Sequence, residues 1–171
     1  MRQLSARMRT RWCCGTGLSF PILQECIGPD GRIVGIEQSP EMLNQAERLV
    51  DQSAWRNVVL IQAPVEEAVI PVEADAALFY ATHDIMRTPR ALENVVAHLK
   101  LGARVLAVGM MRAPWWALST NLRTWKMARE FCTTLEGIGR PWSHLEVLVP
   151  DLTVEEGIFH GFGAYIAVGR K

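Results

Sequence analysis

Gly28-Pro29-Asp30-Gly31-Arg32-Ile33-Val34-Gly35-Ile36-Glu37-Gln38-Ser39-Pro40-Glu41-Met42-Leu43 is the stretch that decides the fold. Arg32 to Ile36 is short, mostly apolar and bounded by turn residues, as expected of a central parallel strand buried on both sides. A helix start follows at once. Ser39 is a capping residue, Pro40 suits the first helical position, and the Glu41 carboxylate complements the positive helix end. Leu43, Ala46 and Val50 then recur at the spacing of one buried helical stripe.

Working outward, the same alternation recurs. Val58 to Gln62, Ala74 to Tyr80 and Ala103 to Met110 read as further strands, each bounded by Gly, Pro or polar residues. At Thr88-Pro89 the helix start returns, with Leu92, Val95, Val96 and Leu99 as its apolar stripe and Gly102 just past its end. A third helix is predicted from about Trp116 to Glu136, with Leu118, Leu122, Trp125, Ala128 and Cys132 sharing a face; Gly137 and Gly139 end it. At the C-terminus, Leu152 to Phe159 and Gly163 to Arg170 are strand-like runs separated by only His160-Gly161-Phe162. That gap is too short for a helical crossover, so they pair as a hairpin and one strand runs antiparallel to the rest. The expected class is α/β, a mostly parallel sheet with helices on both faces.

The 171 residues, 49% of them hydrophobic, suffice for one core, and residues 1–171 are expected to form a single domain. Eighteen basic and eighteen acidic side chains cancel. That balance gives no global field for nucleic acid or a membrane surface, and favours a small-molecule partner. Cys13, Cys14, Cys26 and Cys132 show no zinc-ligand spacing with His83, His98, His144 or His160, so no metal is expected. The thiols read as reduced and the protein as cytoplasmic, because no apolar run is long enough to span a bilayer and no secretory signal opens the chain. Arg2, Arg7, Arg9 and Arg11 give residues 1–12 a faint likeness to a targeting peptide, but cleavage there would remove the first strand.

Chemistry concentrates at two points. Gly15-Thr16-Gly17 follows a short run from Thr10 to Cys14 and precedes a helix predicted from about Leu18 to Ile27. Glycines there let the backbone turn sharply and approach a ligand, with helix amides facing a polar or anionic group. Some twenty residues later, Glu37 ends its strand, where a carboxylate can accept both hydroxyls of a ribose. Each feature alone is commonly only a turn or a solvated acid; their order and spacing together specify a nucleoside-containing cofactor. A dinucleotide is disfavoured, because Phe20 stands where its fingerprint wants a third glycine.

Cys14-Gly15-Thr16-Gly17 together with Gly28 to Leu43 resembles the class I S-adenosylmethionine-dependent methyltransferases of the small-molecule type. The resemblance extends from about Arg11 to Arg170. It implies a Rossmann-like three-layer sandwich, a seven-stranded sheet of order 3-2-1-4-5-7-6 with strand 7 antiparallel, and S-adenosylmethionine as methyl donor. By position, Cys14, Gly15, Thr16 and Gly17 would line the methionine portion, Glu37 the ribose, and Gln38 and Ser39 the adenosine. Ala63, Pro64 and Val65 would flank the adenine, with Gln62 or Glu66 substituting for an acid that the family often has near Pro64. Ala81 would lie beside the transferable methyl. The pattern departs at two places: Arg11 stands where the family generally has an acid, and Cys13 replaces the first glycine of the loop. About ten residues precede the first strand, where the family commonly has one or two capping helices; a shortened protein and a displaced or frame-shifted start both account for this, and the abrupt change from Arg-rich to family-like sequence favours the second.

The loop Tyr80-Ala81-Thr82-His83-Asp84-Ile85 is the expected acceptor side. His83 can remove a proton from an oxygen or nitrogen acceptor, with Asp84 orienting or charging it; a loop pair that caps the next helix is an equally good account. Asp75, at the start of its strand, reads as structural. Trp115, Trp116, Trp125, Trp142 and Tyr165 offer an aromatic wall for an apolar acceptor, although Trp125, at helical spacing, reads rather as core. His144 is placed in a short helix beginning near Pro141, and His98 and His160 read as structural. Three readings compete: methyl transfer to a small molecule, a degenerate non-catalytic relative that binds a cofactor or partner, and a nicotinamide-dependent oxidoreductase, which Phe20 and the terminal hairpin disfavour.

Overall fold

The computed structural model describes residues 9–28, 30–132 and 134–171, and of residues 9–13 and 131 the backbone alone. The expectations about the Arg11 and Cys13 side chains, and about residues 1–8, fall outside what is described. Strands β1 (Arg9–Cys13), β2 (Arg32–Glu37), β3 (Val58–Gln62), β4 (Ala74–Tyr80), β5 (Leu99–Met110), β6 (Thr153–Phe159) and β7 (Phe162–Arg170) form one sheet. Their order is β3-β2-β1-β4-β5-β7-β6. Strands β1 to β5 pair in parallel, whereas β7 is antiparallel to both β5 and β6.

Helices α1 (Phe20–Ile27) and α2 (Pro40–Gln52) cover one face near β1 and β2. Phe20, Leu23 and Ile27 from α1 and Ala46 from α2 are buried there with Ile33 and Leu78. On the other face, α4 (Pro89–Ala97) and α6 (Leu145–Leu148) pack Leu92, Val95, Val96 and Leu145 against Phe79, Val105 and Ala107. Trp142, in a 3₁₀ turn over Pro141–Ser143, stacks on Tyr165 of β7 with ring centroids 4.9 Å apart. Each fully buried side chain of this size stabilises the fold by roughly 1.5–3 kcal/mol. One-turn helix α3 (His83–Met86) follows β4, and α5 (Leu118–Phe131) follows β5.

Three sequence expectations shift. Helix α1 begins at Phe20 rather than Leu18, because residues 15–19 are used in turns. Gly102 does not end a helix: α4 stops at Ala97, and Leu99 already belongs to β5. Gly102, at φ +76°, lies in an irregular stretch where the β4–β5 register shifts between Ala74 and Ala76. Helix α5 is shorter than predicted, and its Leu118, Leu122 and Trp125 face outward, while Thr120, Thr124 and Ala128 are buried. The predicted stripe is therefore split, with Ala128 buried beside Thr120 and Thr124 and its leucines and Trp125 turned to the surface.

Candidate functional site

The parallel strands end together along one edge of the sheet, and two corners of that edge carry chemistry. At the first, β1 passes into a tight turn. The Cys14 amide donates to the Ile36 carbonyl (3.2 Å), Gly17 N–H to Cys14 (2.8 Å) and Phe20 N–H to Gly17 (2.9 Å). Gly17 has φ +79°, and a Cβ there would lie 3.0 Å from the Phe20 ring, so both conformation and space call for glycine. Gly15 is also left-handed, at φ +49°, but faces open space.

Glu37 ends β2 beside this turn, paired in register with Gln62 of β3. Its Oε1 accepts the Ser39 amide at 2.9 Å, which holds the carboxylate at the strand end. Ser39 caps α2, its Oγ accepting from Met42 N–H at 3.3 Å and donating to the Glu41 carboxylate at 2.9 Å. The backbone amide of Glu41 itself and then the Ser39 hydroxyl hold the Glu41 carboxyl below its ordinary value. Cys14 is buried close behind; burial, with the negative charge of Glu37 adding to it, pushes its thiol up to about 12. Ala63 donates its amide to the Glu37 carbonyl (3.2 Å), keeping the β3 exit beside β2. Val65, by contrast, is buried in the main core, and its carbonyl accepts from Asn94 Nδ2 at 2.7 Å.

At the second corner, Ala81 (φ +54°) turns the chain out of β4 while its amide donates to Val108 of β5 (2.8 Å). Thr82 Oγ1 is buried and has no hydrogen-bond partner among the described residues. His83 Nε2 lies 3.2 Å from the Glu136 carbonyl. A carbonyl only accepts, so the bond requires a proton on Nε2 and leaves Nδ1 with the lone pair of a neutral ring. Desolvation holds the His83 imidazole below its ordinary pKa, against the Glu136 carbonyl and the Asp84 charge, which raise it; the Arg87 charge lowers it further.

The return from α5 locks onto this corner. Arg112 N–H donates to the Ile138 carbonyl (2.8 Å), and Arg87 Nη1 donates to Ser143 Oγ (2.8 Å). Gly137, at φ +68°, packs against the Arg87 guanidinium so closely that a Cβ would overlap it. The described residues between 111 and 140 therefore form a cap that starts at the end of β5 and returns to α3.

Residues 11–102, more than half of the chain, match the family model described as a methyltransferase domain. The chain belongs to the class I methyltransferase family. Over 101 residues it is 28% identical to the demethylmenaquinone methyltransferase of Lactococcus lactis, a match covering 56% of this chain but only 39% of that relative. Among solved structures, a SAM-dependent methyltransferase from Aquifex aeolicus has a TM-score of 0.65 at 17% identity, over 95% of this chain and 81% of that one. An N-methyltransferase from Bradyrhizobium japonicum, in complex with S-adenosyl-L-homocysteine, has a TM-score of 0.61 at 14% identity, over 97% and 78% of the two chains. Those likenesses concern the fold.

In this methyltransferase domain, Cys14, Gly15, Thr16, Gly17, Glu37 and Gln38 share the first corner, and Ala81, His83 and Asp84 the second. Ala63 and Pro64 follow β3, while Val65 serves the core. Trp142 and Tyr165 are core residues, so they do not form the expected acceptor wall. Trp125, read from its spacing as core, is instead exposed, with Arg129 stacked 4.6 Å from its ring centroid. Phe20, which stands where a dinucleotide fingerprint needs glycine, is fully buried and packs edge-on against Trp55. Asp75 pairs with Lys100 at 2.7 Å, far along β4 from the ligand edge, and His98 Nδ1 lies 2.7 Å from its own helix's Asn94 carbonyl. Sequence reasoning missed the Thr82 hydroxyl, Arg87 and the Glu136 carbonyl. Arg87 and the Glu136 carbonyl act through contacts across more than fifty residues, and the Thr82 hydroxyl stands out only by its burial, for which the sequence carries no local signal.

Proposed function

We propose that this domain transfers the methyl group of S-adenosylmethionine to a small-molecule acceptor of low charge in the cytoplasm. The single observation that carries the reading is Glu37, a carboxylate held by the Ser39 amide at the end of β2, beside the left-handed Gly17 turn. The residues present fit such a donor. Glu37 keeps its second oxygen for a ribose hydroxyl, Gly15 faces open space, and the buried Thr82 hydroxyl is left for a ligand. Cys14, Gly15, Thr16 and Gly17 would line the methionine end, Gln38 the adenosine, and Ala63 and Pro64 the adenine, with Ala81 near the transferable methyl.

When bound, S-adenosylmethionine supplies an electrophilic methyl on a sulfonium sulfur. The chain's own task is to align an acceptor lone pair with it and exclude water. His83 takes the acceptor proton at Nδ1 while Nε2–H remains on the Glu136 carbonyl. The Asp84 charge favours the imidazolium formed in that step. The cap leaves His83 half-buried, which limits the water that reaches it. An acceptor of low charge agrees with the neutral balance of the chain.

A second reading, a relative that no longer catalyses, is favoured by Arg11 and Cys13 in the first strand. Arginine near a cationic donor is repulsive by roughly 1–4 kcal/mol at close range. Calorimetric titration of the folded protein with S-adenosylmethionine and S-adenosylhomocysteine separates the two. Micromolar binding of both supports methyl transfer; no heat up to millimolar ligand sinks it.

A further inference from the structure

Helix α5 is inside out. Its buried side is Thr120, Thr124 and Ala128, with Thr124 Oγ1 accepting the Gly163 amide of β7 at 3.1 Å. Its other side carries Leu118, Leu122 and Trp125, and the loop before it adds Trp115 and Trp116. These five side chains are between 47% and 85% exposed. A helix that only completed its own domain would turn that stripe inward. Three indoles and two leucines gathered on one surface mark a place where something apolar is met.

The cations around the stripe identify what is met. Arg123, Lys126 and Arg129 are all exposed, and Glu130 is the helix's single acid. Arg129 already lies over the Trp125 ring, and Arg123 reaches the β6–β7 turn at Gly161. A second copy seated on this face would bring two basic clusters together, and an apolar protein surface would leave the cations unanswered. Single-stranded nucleic acid would satisfy the cations and indoles but leave the aliphatic leucines without a partner. An interface of anionic headgroups over acyl chains answers all three kinds of side chain.

We propose that α5 and the loop ahead of it dock on an anionic lipid bilayer surface. The indoles and leucines enter the boundary between headgroups and acyl chains, and Arg123, Lys126 and Arg129 face lipid phosphates. The neutral net charge of the chain is compatible with this, because at physiological salt only charges within about 8 Å of the surface contribute strongly. The surface is the outer side of the cap over the second corner, so docking would set that corner near the membrane. The proposal does not rest on donor binding.

Co-sedimentation of the whole chain tests it, using vesicles of phosphatidylcholine alone and of phosphatidylcholine with phosphatidylglycerol. The wild type is expected to pellet with the anionic vesicles, with a blue shift of tryptophan emission, and to be released by high salt. Leu122→Glu and Lys126→Glu, both at exposed positions, are each expected to lower the partition about tenfold with unchanged circular dichroism. Wild-type protein that stays in the supernatant overturns the proposal, as does pelleting of either variant to the wild-type extent. Retention by a single-stranded oligonucleotide but not by vesicles overturns it too, and so does a dimer that Leu122→Glu dissolves without any vesicle binding. Absence of S-adenosylmethionine binding in a chain that still pellets would defeat the methyl-transfer reading and leave this one standing.

Discussion

At the Glu37 corner, besides the strand-to-strand bonds of Cys14 to Ile36 and Ala63 to Glu37, the side-chain and turn contacts that set the site are local: Ser39 bonds to Glu37 two residues away, Met42 to Ser39 three away, and Gly17 to Cys14 three away. At the His83 corner they are distant. His83 reaches Glu136 across 53 residues, Arg87 reaches Ser143 across 56, and Thr124 reaches Gly163 across 39. The first corner adds short-range turn and cap geometry to the pairing of β1, β2 and β3, whereas the second exists only once the cap has also returned to α3. Local geometry leaves a spacing pattern in the sequence; assembled geometry leaves almost none.

If the corners are separable in this way, substitutions should separate them too. The largest effect is expected from His83→Asn, which removes the proposed base without removing the ring's hydrogen-bonding size. Turnover should fall about 100-fold or more while donor affinity in a calorimetric titration stays within twofold. In the wild type, turnover should rise with pH through a midpoint below the ordinary histidine value and then level, because burial lowers the His83 pKa and only the neutral ring accepts the proton. The same shift bears on stability: the unfolded histidine binds its proton at higher pH than the folded one, so stability is lost as pH falls below the ordinary histidine value. A turnover profile that is flat across that range would remove His83 from the reaction.

Glu37→Ala should act the other way round, weakening donor binding by about 30- to 100-fold, roughly 2–3 kcal/mol, without moving the pH midpoint. An equal loss of both would show that the corners are coupled. Arg87→Ala sharpens the contrast from the assembled side. It frees Ser143 and the packing under Gly137, so turnover should fall about tenfold as the cap loosens, with donor affinity unchanged. The smallest effect belongs to Ser39→Ala. Loss of the α2 cap should cost about 1 kcal/mol in denaturant unfolding, with a few-fold loss of donor affinity as Glu37 loses the ordered turn that holds it.

Legibility followed the same division. Strands β2, β3 and β4 and the capped start of α2 were readable because hydrophobic period and capping chemistry are set within a few residues. The terminal hairpin was readable because three residues cannot cross a sheet. Trp125 and Trp142 were not: both have basic and polar sequence neighbours, yet one is exposed beneath Arg129 and the other is buried against Tyr165. That difference depends on which side of each helical segment the folded chain presents to the sheet. Glu37 could be placed from spacing alone, whereas the Glu136 carbonyl that orients His83 is a backbone atom and leaves no mark in residue type.

Cys14 gives the first corner a clock. Its thiol is buried behind the Gly17 turn and pushed up to about 12, so at neutral pH it is protonated and shielded from alkylating reagents. It reacts only when β1 and its turn part from β2. Under conditions where opening limits the reaction, the labelling rate of this one sulfur counts how often the corner comes apart. A ligand seated on the closed turn slows that count in proportion to its occupancy, whichever acceptor the domain serves.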